Sequence, residues 1–125
     1  MSNEGGKHGG PMTIPELRID AERLLSRLGQ LAEIGAIDGG GCCRLALTDE
    51  DKVARDLVVS WMRELGLDVS IDPIGNVFGL RAGRESLPPV MTGSHIDTVR
   101  TGGRYDGNLG VLAGLEVVAT LNAAG

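Results

Sequence analysis

Residues 90–110 of this chain read VMTGSHIDTVRTGGRYDGNLG, and no other stretch narrows the possible folds as much. A short apolar run, Val90-Met91, passes into Gly93-Ser94-His95-Ile96-Asp97, and a glycine-rich turn then delivers Asp106 between Gly102-Gly103 and Gly107. Open α/β sheets bind ligands beyond the carboxyl ends of their strands, which is where such a run would place His95. His95 and Asp97 stand two apart, so on an extended backbone both side chains share one face. A neutral imidazole is a good ligand for zinc-like ions, and a nearby carboxylate fixes its tautomer and orientation. Asp106 is a hard carboxylate on a loop whose glycines allow close approach, and such a group can bind one ion or bridge two. A His-x-Asp pair alone is more often a hydrogen-bonded surface pair than a metal site. The following Gly103-Arg104-Tyr105-Asp106-Gly107 makes the pattern far more specific.

Taken together, these residues resemble the metal-binding segment of the dinuclear zinc peptidase and amidohydrolase superfamily. Within it the chain is most similar to the hydantoinase/carbamoylase family: N-carbamoyl-L-amino-acid hydrolases, β-ureidopropionases and allantoate amidohydrolases. Arg44-Leu45-Ala46-Leu47-Thr48 with the acids after it, Trp61-Met62-Arg63-Glu64 and Ile74-Gly75-Asn76-Val77-Phe78-Gly79 carry the narrower likeness. The resemblance implies that His95 binds one metal, Asp106 bridges two, and Asp97 supports the histidine and serves catalysis. It also implies two divalent ions, with zinc the chemical default and manganese, cobalt or nickel alternatives. The implied reaction is metal-assisted hydrolysis of the ureido C–N bond of a small N-carbamoyl amino acid or related compound. A homodimer is implied for a complete member.

The rest of the chain predicts an α/β fold, with a mixed sheet flanked by helices, as in the N-terminal part of a zinc-peptidase-like catalytic domain. Ala21, Leu24, Leu25, Leu28, Leu31 and Ala32 fall at helical spacing over Asp20 to Ile34, with a possible start as early as Pro15. Asp20 suits the N-cap and Gly35 the stop. A loop over residues 36–47 holds Arg44, expected to be a solvated side chain. Thr48 caps a second helix whose first turn is acidic, and Ala54, Leu57, Val58, Trp61, Met62 and Leu65 form its apolar stripe. Leu67, Val69 and Ile71 alternate with polar residues, and a return strand over Val77 to Arg81 completes a hairpin. Pro89 to Ser94 is expected as a central strand, and Asn108 to Ala123 as a largely buried helix. Gly110 and Gly114 would let that helix lie close against the sheet.

Composition removes several alternatives. The net charge of -5, with the acids spread along the chain, argues against a nucleic-acid partner. No apolar run approaches membrane-spanning length and the N-terminus lacks a signal-peptide core, so a cytoplasmic protein with no membrane partner is expected. Cys42 and Cys43 are adjacent, a poor spacing for zinc and a strained one for a disulfide, and are read as thiols. Residues 1–12 are glycine-rich and are expected as a disordered tail, with His8 no ligand. Residues 13–125 then form part of a metal-dependent catalytic domain. The family's general-base glutamate, its remaining metal ligands and its dimerisation domain have no counterpart here; Glu116, inside the predicted last helix, does not match them. The chain is therefore expected to be an N-terminal portion, inactive by itself. An aminoacylase or peptidase of the same superfamily, or a noncatalytic α/β piece acting by association, stays open.

Overall fold

The computed structural model describes residues 16–125. The expected tail over 1–12, with His8, and the earliest helix start at Pro15 lie outside the described residues. Three helices and one hairpin follow in the order α1 (Ala21–Glu33), α2 (Asp49–Glu64), β1 (Asp68–Ile71), β2 (Val77–Leu80) and α3 (Asn108–Ala124).

Local chemistry explains the helix ends. The Asp20 carboxylate accepts from the Arg23 N–H at 3.1 Å, satisfying one of the free donors of the first turn of α1. Thr48 Oγ1 does the same for α2, accepting from the Asp51 N–H at 3.2 Å. Beyond α1, Gly35 has φ +82, and a side chain there would collide with the Cys43 carbonyl. That crossing brings the 36–47 loop back against the end of the helix, with the Cys43 N–H donating to Gly35 O at 2.7 Å.

One face of each helix meets in a single core. Leu28 and Leu31 of α1, Ala54, Val58 and Trp61 of α2, Leu67, and Leu112 and Leu115 of α3 are all buried together. The stripes expected for α1 and α2 therefore face inward, although Leu25 at the edge of the α1 stripe stays exposed. The hairpin packs on α2, where Gly79 leaves room for the Leu67 and Met62 side chains. Its register pairs Asp68 with Leu80 and Ile71 with Val77. Asp72 organises the turn, accepting from Asn76 N and Nδ2 at 2.8 Å each. Those bonds, led by the one from the Asn76 side chain, hold its carboxyl below the usual carboxylate range.

Helices with a small sheet give an α/β arrangement, but three expectations need correction. Among the described residues the only sheet is this antiparallel pair, not a mixed sheet. Residues 89–94 form no strand. A strand exists only where a neighbouring backbone completes its ladder, and among the described residues none pairs with this segment. Val90 and Met91 are accordingly exposed. The third helix is also less buried than its composition suggests. Leu112, Leu115 and Ala119 face the core, while Leu109, Val117 and Leu121 face outward.

Candidate active site

The glycines of α3 bring its first turns against the residues that precede the candidate site. A Cβ at Gly110 would come within 2.7 Å of Ser94 Cβ, and one at Gly114 within 3.1 Å of Thr92 Cγ2. The close approach foreseen for these two glycines is present, though its partner is an unpaired segment rather than a sheet. Gly107, which precedes α3, has φ +73, and a Cβ there would fall onto the His95 carbonyl and ring. Gly107→Ala is therefore expected to destabilise the chain by at least roughly 1–3 kcal/mol from the backbone conformation alone. It should also push the His95 ring aside. Urea melts measure the first effect and the His95 ring resonances the second; an unperturbed ring would contradict the packing.

His95, Asp97 and Asp106 come together. The imidazole lies between the two acids, with Nδ1 3.4 Å from Asp97 Oδ1 and Nε2 4.0 Å from Asp106 Oδ1. Nδ1 also lies 2.9 Å from the Asp97 carbonyl oxygen. Both neighbours of Nδ1 are acceptors, so the ring proton of the neutral imidazole belongs on that nitrogen. The Nε2 lone pair is then left facing Asp106. Metal bonds to a histidine nitrogen and a carboxylate oxygen are each about 2.0–2.2 Å, so an N···O separation of two such bonds or less can be bridged by one ion. The 4.0 Å gap meets that condition, at an open angle. All three side chains keep access to solvent. Among the described residues no three His, Cys, Asp or Glu side chains form a metal-holding group. The donor set thus fits two protein ligands and a supporting carboxylate, short of the three or four of a complete zinc site.

A groove of about 280 Å³ opens beside His95 and Asp97. Val58, Met62 and Val77 give it an apolar floor, and Asp51, Arg55 and Asn76 bring polar groups to it. Arg55 is held across the groove by donating from Nη2 to Gly75 O at 2.7 Å.

Sequence reasoning missed the buried polar residues that hold the surrounding loops. Arg44, expected in solvent, is 0% exposed. Its guanidinium donates to Leu31 O at 2.9 Å and Ile34 O at 2.6 Å, carbonyls at the negative end of α1. Helix α1 has no basic residue in its own last turn, and Arg44 supplies that charge from the loop. Thr98 is buried too, accepting from the Arg44 N–H at 2.7 Å through Oγ1. Cys42 and Gly102 exchange backbone hydrogen bonds of 2.9 Å, closing the loop base, and both cysteines are free thiols as expected. The only signal for these roles was that Arg44 opens one of the family-like stretches. Glu116 is buried between α1 and α3, where Arg23 binds it, away from the candidate ligands.

No family model matches the chain. It is 51% identical over 107 residues to an N-carbamoyl-L-amino-acid amidohydrolase of Pseudomonas sp., a match covering 85% of this chain and 26% of the relative. A hydantoinase/carbamoylase family amidase structure from Burkholderia multivorans superposes with a TM-score of 0.86 at 53% identity, covering 88% of this chain and 27% of that one. A second such amidase, from Burkholderia ambifaria, gives 0.84 at 53% identity over 86% and 27%. More distant is a ureidoglycolate hydrolase of Arabidopsis thaliana, 36% identical over 98% of this chain and 26% of its own. The chain is homologous to these amidohydrolases over most of its length, and spans about a quarter of theirs.

Proposed function

We propose, from its homology to the hydantoinase/carbamoylase amidases, that this chain supplies part of the catalytic centre of a metal-dependent hydrolase. The bond cleaved is the carbamoyl, or ureido, C–N bond of N-carbamoyl amino acids or related small ureido compounds. The observation carrying the reading is the apposition of His95 Nε2 and the Asp106 carboxylate at 4.0 Å, with Nδ1 engaged by Asp97. The names of the relatives support the substrate class, N-carbamoyl-L-amino acids in one case and ureidoglycolate in another. His95 would hold one divalent ion and Asp106 would bridge two, zinc being the chemical default for such donors and manganese, cobalt or nickel alternatives. Those ions, when bound, supply Lewis-acid activation of water and of the scissile carbonyl. Asp97 keeps the proton on Nδ1 and the ring turned toward Asp106. The groove beside His95 is sized for a small substrate and carries apolar and polar surface for it. A homodimer and a cytoplasmic location belong to the same proposal. Among the described residues no helix is long and apolar enough to cross a membrane.

A chimera tests the reading. Replacing the matching segment of the Pseudomonas relative with this chain should give metal-dependent hydrolysis of N-carbamoyl-L-amino acids, whereas the 125-residue chain alone should give none. Asp97→Asn in the chimera should retain part of the metal and lower the rate about 10–100-fold. A folded chimera without activity would count against the reading. Turnover by the lone chain that disappears with His95→Ala would show that no further ligands are needed.

A further inference from the structure

Ten residues, two of them glycines, separate His95 from Asp106, so the intervening loop cannot by itself fix the distance between them. The buried guanidinium of Arg44 touches both ends of that loop. Its Nε donates at 3.0 Å to the carbonyl of Ile96, the residue between His95 and Asp97. Its Nη2 donates at 3.0 Å to Asn108 Oδ1, and Asn108 Nδ2 donates at 3.1 Å to Arg104 O. Arg104 and Asn108 flank Asp106 on either side. Nη1 anchors the assembly to Leu31 O and Ile34 O at the end of α1.

We propose that Arg44 is a positioning residue for the candidate metal centre, setting the separation of His95 Nε2 from the Asp106 carboxylate by tying Ile96 and Asn108 to the end of α1. The proposal rests on the reading that these two side chains hold an ion. Arginine suits the task because its planar fork points donors at three separate segments in fixed directions. A lysine offers one nitrogen, and cannot reach all three. The charge is not spent on an ion pair: among the described residues its partners are carbonyls, an amide oxygen and the Cys42 sulfur.

The test uses the full chain with Arg44→Lys and the milder Asn108→Ala, which cuts only the Asp106 arm. Two readouts are taken where the amide shifts of α2 and the hairpin match wild type. The first needs no metal: the nuclear Overhauser effect between His95 Hε1 and Gly107 Hα, two groups packed together here. The second is Co²⁺ affinity by visible absorption. Both variants should weaken the Overhauser effect and lower Co²⁺ affinity about 10–100-fold. An intact Overhauser effect with wild-type Co²⁺ affinity in either folded variant overturns the proposal. If Arg44→Lys does not fold, Asn108→Ala decides. If wild type takes up no Co²⁺, the metal reading falls, and the Overhauser comparison alone decides the role of Arg44.

Discussion

Asp106→Ala in the chimera is expected to abolish hydrolysis and to empty both metal positions, whereas His95→Ala should abolish hydrolysis while removing one metal. The difference follows from the chemistry of the two groups. A carboxylate has two oxygens and can serve two ions, while the His95 ring presents one free lone pair, at Nε2, because Nδ1 is occupied by Asp97. If Asp106 is shared, its loss would also remove the negative charge that this chain would place between two cations. Elemental analysis of dialysed protein separates the cases, read beside the hydrolysis rate. An Asp106→Ala chimera that keeps both metals would show that Asp106 does not bridge. A His95→Ala chimera with full metal content and full rate would remove the histidine from the centre altogether.

The helices and the grouping of the candidate residues were legible because the information for each is local. An Asp or Thr cap, an apolar stripe and a closing glycine lie within one or two turns of one another, so α1 and α2 start where their caps predict. His95, Asp97 and Asp106 were legible by residue type and spacing within one short stretch, and the structure brings these three together.

What could not be read is what depends on distant partners. Arg44 looks like any loop arginine until Ile96 and Asn108, 52 and 64 positions away, supply its acceptors. Burying a guanidinium is costly unless its donors are satisfied, and no pattern around Arg44 announces that they are. Pro89 to Ser94 shows the converse. Its apolar composition suits a central strand, yet a strand is a property of two backbones, and among the described residues the second is absent. The segment instead packs its small residues, Thr92 to Ser94, against the glycines of α3.

Glu116 supplies a second expected effect on stability, and one that pH should reveal. Its side chain is 1% exposed, held by Arg23 Nε and Nη2 at 2.9 and 2.7 Å, with the Asp20 N–H donating to it at 2.9 Å. Arg27, stacked over Trp61, brings a second guanidinium to 3.9 Å. These contacts join the start of α1 to the middle of α3. The bond from Arg23, more than any other, pulls the Glu116 carboxyl below its ordinary range despite its burial. A carboxylate with a lowered folded-state pKa binds protons more weakly when folded than when unfolded. Its contribution is therefore complete above the unfolded value, about 4.3, and is lost as pH falls through the folded value. Glu116→Gln keeps the shape and removes the charge, and should cost about 2 kcal/mol at pH 7, the scale of charge-assisted hydrogen bonds. The gap between wild type and variant should hold steady from neutral pH down to about pH 5 and close below it. Arg23→Met should act in the same direction, by leaving the buried acid with the more distant Arg27. Urea titrations of the three proteins across that range measure all of this. A gap that persists unchanged at the acid end would mean that the Glu116 side chain contributes through its packing and not through its charge.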